Sequence, residues 1–197
     1  MSTRPPLGSA IERNANVEME RPSLDGVPPA PPPAGVAIRG YRPGDERAWT
    51  RIQAAADEYN EITPSLFGRA FGADPAALEA RVLFAVDARG EAVGTAAAWW
   101  GDGPDDPRGR VHWVAVAPER QRAGIGRALV AAVCERMREL GHRRAFLHTS
   151  AARLPAIALY RSFGFRPIVN GDEDRAAWAE IDAALERGTG AAGGEGD

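Results

Sequence analysis

The sequence contains no lysine, because all 24 of its Lys and Arg residues are arginine. A Gly-Lys-Ser or Gly-Lys-Thr triplet is therefore absent, which excludes a phosphate-binding loop of the nucleoside-triphosphatase type. The single cysteine, Cys134, cannot form an internal disulfide, and it lies inside a predicted helix, where a small core residue is the simplest interpretation. We expect a reducing, cytoplasmic environment for such a chain.

Long hydrophobic runs are also missing. The longest, at residues 92–100 and 128–134, are much shorter than the ~18 residues of a membrane span, and the N-terminal residues lack the apolar stretch of a secretory signal. We therefore expect no membrane partner. With 44% hydrophobic and 26% charged residues in 197, the composition is typical of one folded domain.

Charge is unevenly distributed along the chain. The formal net charge is −3, yet nine arginines and only three glutamates, with no aspartate, lie between residues 108 and 144. Such a local positive excess attracts a polyanion. Arg120, Arg122 and Arg127 lie next to a glycine-containing loop and are the best candidates, with a solvated helix face as the alternative. Nucleic acid is disfavoured as a partner, because the whole chain is acidic and no basic stripe alternates with aromatic residues.

The most informative stretch joins a strand to a helix through glycines. Residues 111–116 are rich in β-branched and aromatic side chains and predict a strand. From Ile125 onward, apolar residues recur every three or four positions and predict a helix that ends at Gly141. Gly124 and Gly126 lie in the intervening turn, where a Cβ would hold a ligand away from the backbone N–H groups. The stretch predicts an anion site at a helix N-terminus, with an ordinary turn as the alternative.

Two short motifs follow one another about 35 residues apart. The first is Gln-x-x-Gly-x-Gly at residues 121–126, after a strand ending in Val-Ala-Val-x-Pro, and the second is Leu-Tyr-x-x-x-Gly-Phe at residues 159–165. Together they resemble the GNAT (Gcn5-related N-acetyltransferase) family, over about residues 36–170. The resemblance implies an α/β fold, a central mixed β-sheet flanked by helices, with a parallel strand pair, splayed by a bulge, at the cofactor slot. It also implies direct transfer of an acetyl group from acetyl-CoA to an amine.

Around these motifs we expect one domain with disordered ends. Residues 1–34 hold half of the 16 prolines and no apolar periodicity, which predicts a disordered or polyproline arm. The acetyltransferase-like domain is expected over residues 35–187, and a Gly-rich disordered tail over residues 188–197. Predicted strands lie at residues 36–39, 81–86, 91–100, 111–116, 144–149 and 165–169, and predicted helices at 45–56, from 74, at 125–140, 154–162 and 174–185. We expect 81–86 and 91–100 to form an antiparallel hairpin, and 144–149 to run parallel to 111–116.

The resemblance implies where acetyl-CoA would bind. Backbone groups in the glycine turn would hold the pyrophosphate, and backbone groups of the preceding strand would pair with the pantetheine arm like an additional strand. The residues so assigned are Val114, Ala115, Val116, Gln121, Arg122, Ala123, Gly124, Ile125, Gly126 and Arg127. Seven residues before Tyr160, where many members have an asparagine, this chain has Arg153, which either contacts a CoA phosphate or is a surface residue. No metal is implied.

The resemblance also implies catalytic residues. Tyr160 matches the family tyrosine whose hydroxyl can protonate the leaving thiolate, with a core tyrosine as the alternative. His112 is the best candidate for the base, because a histidine at the matching distance takes the proton of the amine in the serotonin N-acetyltransferase branch. By the period of two, His112 is predicted to share a strand face with Val114 and Val116. A core histidine is the alternative.

Glu58 and Glu61 are the other candidates for the base. They lie in a polar segment after the first predicted helix, on the expected substrate side. Their other interpretations are that they hold a positive charge of the acceptor or are simply solvated. The acceptor is not specified by the fold; we expect a small-molecule or peptide amine, and a monomer or homodimer. Two other functions stay open, namely a non-catalytic acetyl-CoA-binding module and an acyltransferase with a longer acyl donor or a hydroxyl acceptor.

Overall fold

The computed structural model describes residues 8–102 and 106–192. They form two compact units, one from Arg21 to Phe146 and a smaller one from the described residues before and after that range. The strands are β1 (Asn16–Arg21), β2 (Val36–Gly40), β3 (Val82–Asp87), β4 (Ala92–Trp99), β5 (Gly109–Val116), β6 (Ala145–Ser150) and β7 (Arg166–Pro167). The helices are α1 (Glu46–Ala56), α2 (Leu66–Phe71), α3 (Pro75–Arg81), α4 (Ile125–Glu139), α5 (Leu154–Ser162) and α6 (Asp172–Ala192). None of these helices is long and apolar enough to cross a membrane.

The larger unit contains a mixed sheet in the order β2-β3-β4-β5, followed by the start of β6. The first four strands pair antiparallel with their neighbours. The start of β6 runs parallel to β5, with Gly109 opposite Ala145 and Arg110 opposite Phe146. The predicted hairpin and the predicted parallel pair are both confirmed.

Local hydrogen bonds close the hairpin between β3 and β4. One carboxylate oxygen of Asp87 accepts from the backbone N–H of Arg89 at 2.9 Å and from that of Glu91 at 3.1 Å. Gly90 has φ +81°, a conformation that other residues rarely adopt. The turn therefore sets the register of β4 against β3.

Helix α4 covers one face of this sheet. Gly94 of β4 allows the close approach, because a Cβ there would lie 3.0 Å from Leu129 and 3.3 Å from Ile125 of α4. The other face carries aromatic rings around the fully buried Trp49 of α1, whose ring centroid lies 5.2 Å from that of Trp113 in β5. This packing fixes α1 next to β5.

The smaller unit contains most of β1, the end of β6, and β7, with helices α5 and α6. β1 and β7 pair antiparallel, with Met19 opposite Pro167 and Glu20 opposite Arg166. β7 is only two residues long, shorter than the strand predicted at residues 165–169, in keeping with the missing N–H donor of Pro167. Helix α5 has the predicted bounds.

The prediction of a disordered or polyproline arm over residues 1–34 is wrong at β1 and at Leu24. β1 lies within it, and the alternate side chains Val17 and Met19 are buried. Leu24 is also buried, and its N–H donates to the carbonyl of Arg143 at 2.9 Å. The prolines lie before and after β1 rather than within it, so the proline content concealed a short alternating pattern.

The C-terminal end of the described chain also differs from the prediction. Helix α6 continues to Ala192, so the prediction of a disordered tail from residue 188 is wrong for residues 188–192. A helix that is already nucleated adds further residues at small cost, and its glycines do not end it. The remaining tail, residues 193–197, and residues 1–7 of the predicted arm lie outside the described residues.

Candidate cofactor and active site

A β-bulge interrupts β5 just before the predicted anion site. The pairing with β4 passes from His112 directly to Ala115 while β4 advances by only two residues, so Trp113 and Val114 stand opposite a single residue. Trp113 has φ +49°, which is unusual for a bulky side chain. The bulge expected at the cofactor slot is therefore present in β5.

The loop after the bulge turns the chain through two left-handed residues. A single 3₁₀ turn, Pro118–Arg120, follows the strand, and then Arg122 has φ +58° and Gly124 φ +85°. The side-chain amide of Gln121 donates to the carbonyl of Val116 at 3.1 Å, which ties the loop to the end of β5. The side chains of the loop itself are exposed, so its backbone is accessible to a ligand.

Helix α4 begins at Ile125 with an open N-terminus. Gly124 is the N-cap, and its carbonyl accepts the first intrahelical hydrogen bond, from Ala128 at 3.1 Å. The N–H groups before Ala128 have no intrahelical acceptor, and with the helix dipole they favour an anion by about 0.3 to 1 kcal/mol. A Cβ built at Gly124 meets nothing within 4 Å, so the protein leaves this space open. A pyrophosphate group fits such a site.

Three arginines surround this turn. Arg122 and Arg127 are exposed, whereas Arg120 is half-buried and lies 3.6 Å from the Asp87 carboxylate. An ion pair of that length near the surface is weak. Three of the nine arginines of residues 108–144 thus lie beside the N-terminus of α4.

His112 lies on the opposite face of β5 from the one predicted. Residues that pair directly across a sheet share a face, and the β4 partners of His112 and Ala115 are two residues apart, so the bulge places His112 with Ala115 and not with Val116. The prediction of a shared face is wrong because a bulge shifts the period-two pattern by one residue. His112 thus faces the aromatic cluster around Trp49.

Aromatic rings and an arginine surround the His112 imidazole, which is half-buried. Its centroid lies 5.7 Å from that of Phe71 and 5.7 Å from that of Trp113. The Nη2 of Arg110 lies 3.5 Å from Nε2 of His112, and Nη1 of Arg110 donates to Asp102 at 3.0 Å. Because a guanidinium only donates, Nε2 is the acceptor in this contact. In this contact Nε2 therefore carries no proton.

In the smaller unit, Tyr160 of α5 is buried, with its ring centroid 6.0 Å from that of Phe165. Burial raises the pKa of the Tyr160 hydroxyl to about 12, a shift that the charge of Arg153 partly opposes. The hydroxyl therefore stays protonated near neutral pH and can donate a proton. Arg153 is the N-cap of α5, and its backbone N–H donates to the carbonyl of Ser150 at 3.0 Å.

Glu58 and Glu61 are exposed in the loop between α1 and α2. Asp57 orders this loop, because its Oδ1 accepts from the N–H of Tyr59 at 2.9 Å and from that of Asn60 at 3.0 Å. The two glutamates thus present carboxylates at the surface, where a cationic acceptor or water can bind. Within the described ranges, no group of three or more His, Cys, Asp or Glu residues could hold a metal ion.

Gln53 is a further residue of this region that the sequence pattern did not single out. It is 2% exposed, and its side-chain amide donates to the carbonyl of Trp113 at 2.8 Å. A signal was available, because Gln53 lies one turn after Trp49 on the apolar stripe of α1, where a polar side chain requires a buried partner. That partner lies 60 residues away, inside a bulge, and has no sequence signature of its own.

Known proteins are similar to this chain in sequence. The profile of the acetyltransferase (GNAT) family matches residues 49–165. The mycothiol acetyltransferase of Pseudarthrobacter chlorophenolicus is 36% identical over 152 residues, which cover 71% of this chain and 45% of that protein. The mycothiol acetyltransferase of Thermomonospora curvata is 34% identical over 154 residues, which cover 76% and 50%. The chain thus spans about half the length of these relatives.

Solved structures share the fold. A GCN5-related N-acetyltransferase from Sphaerobacter thermophilus has a TM-score of 0.65 at 28% identity, over 78% of this chain and 48% of that chain. The ribosomal-protein-S18-alanine N-acetyltransferase from Escherichia coli resembles it in fold alone, with a TM-score of 0.57 at 23% identity, over 68% and 79%. The family profile covers more than half of the chain and includes the β5 bulge, the glycine turn and Tyr160. The chain therefore belongs to the acetyltransferase (GNAT) family.

Proposed function

We propose that this chain is an acetyl-CoA-dependent N-acetyltransferase, which moves an acetyl group to a primary amine by direct transfer in a ternary complex. The observation that carries the proposal is the glycine turn, in which a left-handed Gly124 leaves the N-terminus of α4 open to a pyrophosphate. Family membership supplies the reaction class. The chain spans about half the length of its relatives, so the residues described above must themselves suffice for the proposed activity.

In the proposed complex, the backbone of residues 121–127 holds the pyrophosphate, and Arg122 and Arg127 add positive charge. Backbone groups of β5 at residues 114–116 hold the pantetheine arm. Acetyl-CoA supplies an acyl group that is activated as a thioester. Arg153 is proposed to contact a CoA phosphate, with a purely structural place at the start of α5 as the alternative.

The side chains of the chain then move two protons. Holding an amine and a thioester in reacting geometry can lower the barrier by roughly 7 to 11 kcal/mol in the best cases. The hydroxyl of Tyr160 donates a proton to the leaving thiolate, a role supported by its matching motif. The imidazole of His112 accepts the proton that the amine loses. Glu58 and Glu61 are the alternative proton acceptors, or they hold a cationic acceptor.

For the acceptor, we propose a small-molecule or peptide amine. Two of the similar proteins are named mycothiol acetyltransferases, so the amine precursor of such a thiol belongs in the first panel to be tested. The exposed carboxylates between α1 and α2 favour an acceptor with a positive charge.

A thiol-release assay tests this function. The purified chain is mixed with acetyl-CoA and a panel of amines, amino acids, aminoglycosides and peptides, and the release of CoA is followed together with the mass of the acceptor. We expect release that depends on one class of amine, and an acceptor heavier by one acetyl group. Succinyl-CoA and longer acyl-CoA test the choice of donor in the same assay.

Two outcomes would contradict the proposal. Calorimetric binding of acetyl-CoA without release for any acceptor would indicate a binding module instead of an enzyme. Release with hydroxyl acceptors alone, or only with a longer acyl donor, would indicate an acyltransferase of another specificity.

A further inference from the structure

We infer that Gln53 is a positioning residue for the proposed transfer, an inference that rests on the proposed function. Its buried side-chain amide donates to the carbonyl of Trp113 at 2.8 Å. Through this hydrogen bond, Gln53 orients the peptide group between Trp113 and Val114, so that the N–H of Val114 is directed at the acyl-CoA arm.

The bulge in β5 creates the need for such a hydrogen bond. Trp113 and Val114 stand opposite a single residue of β4, so the regular ladder is interrupted at this point. A buried carbonyl without a donor is strongly unfavourable, and a partner from outside the sheet is then required. The amide of Gln53 is that donor for the carbonyl of Trp113.

Helix α1 holds Trp113 at two points. The ring of Trp49, one helical turn before Gln53, packs edge-on against the Trp113 ring, at 5.2 Å between centroids and an angle of 73°. Gln53 holds the carbonyl of the same residue. A bulky residue keeps a φ of +49° only where its surroundings fix it, and these two contacts supply the constraint.

Because the peptide group is planar, fixing the carbonyl of Trp113 also fixes the direction of the next N–H. The peptide bonds of the described residues are trans, so the carbonyl of Trp113 and the N–H of Val114 point in opposite directions. A carbonyl fixed toward α1 therefore fixes the N–H of Val114 away from α1. Val114 is among the residues proposed to hold the pantetheine arm, and a donor oriented in advance needs no reorganisation when the acyl group binds.

The substitution Gln53→Met tests this role, because methionine keeps the length and burial of glutamine but has no N–H donor. Calorimetry compares acetyl-CoA with adenosine 5′-diphosphate 3′-phosphate, the nucleotide half of CoA, which carries the pyrophosphate and no pantetheine arm. We expect acetyl-CoA to bind about tenfold more weakly, the effect of losing one well-oriented hydrogen bond. Binding of the nucleotide half should be unchanged. Should Gln53→Met fail to fold, Gln53→Leu carries the same expectation, because leucine also lacks the donor and brings no charge into the buried site.

The substitution Ile52→Val is the matched control. Ile52 precedes Gln53 on α1 and is fully buried, so its truncation loosens the same helix without removing the hydrogen bond to the bulge. We expect a lower Tm and unchanged affinity for both ligands. Wild-type affinity for acetyl-CoA in Gln53→Met, or an equal weakening in Ile52→Val, would overturn the positioning role alone. A wild-type chain that binds no acetyl-CoA would overturn the proposed function, and this role with it.

Discussion

Among the single residues, Tyr160 offers the most direct test of the chemistry. Burial raises the pKa of its hydroxyl to about 12, so the proton is present at neutral pH. We predict that Tyr160→Phe lowers kcat by roughly 10²- to 10⁴-fold and leaves the Kd for acetyl-CoA close to that of the wild type, because the ring still packs against Phe165. Steady-state kinetics measure the change in kcat, and calorimetry measures the Kd for acetyl-CoA. A loss of affinity as large as the loss of rate would instead mark Tyr160 as a core residue.

His112 is expected to control the pH dependence of the reaction. A protonated imidazole cannot accept the proton of the amine, so kcat/KM of the wild type should fall as the pH is lowered. His112→Gln should lose that acidic limb and most of the rate, with Glu58→Gln and Glu61→Gln as controls that keep the wild-type profile. A wild-type profile in His112→Gln, together with a changed profile in either glutamate variant, would assign the base to that glutamate.

Cys134 is predicted to be unreactive in the folded chain. It is fully buried in α4, and burial raises the pKa of its thiol to about 12, an effect that Arg21 partly opposes. Since the thiolate is the reactive form, Ellman's reagent should detect no thiol under native conditions and one per chain in concentrated guanidinium. Cys134→Ala provides the blank. Rapid reaction of the native protein would show that α4 opens readily.

The glycine turn before α4 needs a residue with a positive φ at position 124, and it is also the proposed binding site of the pyrophosphate. Gly124 has φ +85°, so Gly124→Val introduces strain and places a branched side chain where the pyrophosphate is proposed to bind. We expect the variant to fold with a lowered Tm and to lose measurable binding of acetyl-CoA. Gly90→Val is the control, because Gly90 has φ +81° in the hairpin between β3 and β4. If both variants bind acetyl-CoA like the wild type, the Gly124 turn has no role in binding.

β1 is expected to be an essential element of the smaller unit. Met19 is fully buried at its centre, and truncating a buried methionine typically costs about 2 to 5 kcal/mol of stability. Met19→Ala should therefore lower the urea midpoint markedly. Glu18→Ala, which removes only an exposed pair with His148 at 3.2 Å, should cost about 1 kcal/mol or less. Equal midpoints for the two variants would contradict the packing of β1.

For the whole molecule, the absence of lysine simplifies the alkaline titration. Burial raises the pKa of Cys134, Tyr160 and Tyr41 to about 12, and at Tyr41 a hydrogen bond to Glu46 adds to the shift. The unfolded chain therefore loses these protons first as the pH rises, and the free energy of unfolding should decline from about pH 9 to about pH 12. Urea midpoints measured from neutral to alkaline pH check this, and Tyr41→Phe should weaken the decline. A midpoint that stays constant to about pH 11 would contradict it.

Elements whose start, stop or turn residues lie next to them in the sequence were predicted correctly. Helix α5 and the β3–β4 hairpin have their stop and turn residues within or next to them, and the turn at residues 121–126 has its glycines in the motif itself. The face of His112 could not be predicted, because it depends on how β5 pairs with β4 across the bulge. β1 was missed because its partner in the sheet lies far along the chain: Glu20 pairs with Arg166. The partner of Gln53 could not be predicted for the same reason, because its side chain donates to the carbonyl of Trp113, 60 residues away.

The burial of Cys134 also makes this chain convenient for labelling. The folded surface carries no other thiol, so a maleimide dye has nothing to attach to in the native protein. A cysteine introduced at exposed Arg89 in the larger unit and another at exposed Arg175 in the smaller one would be the only attachment points. An environment-sensitive dye attached at one of these positions at a time would then report whether added acetyl-CoA changes the surroundings of that position.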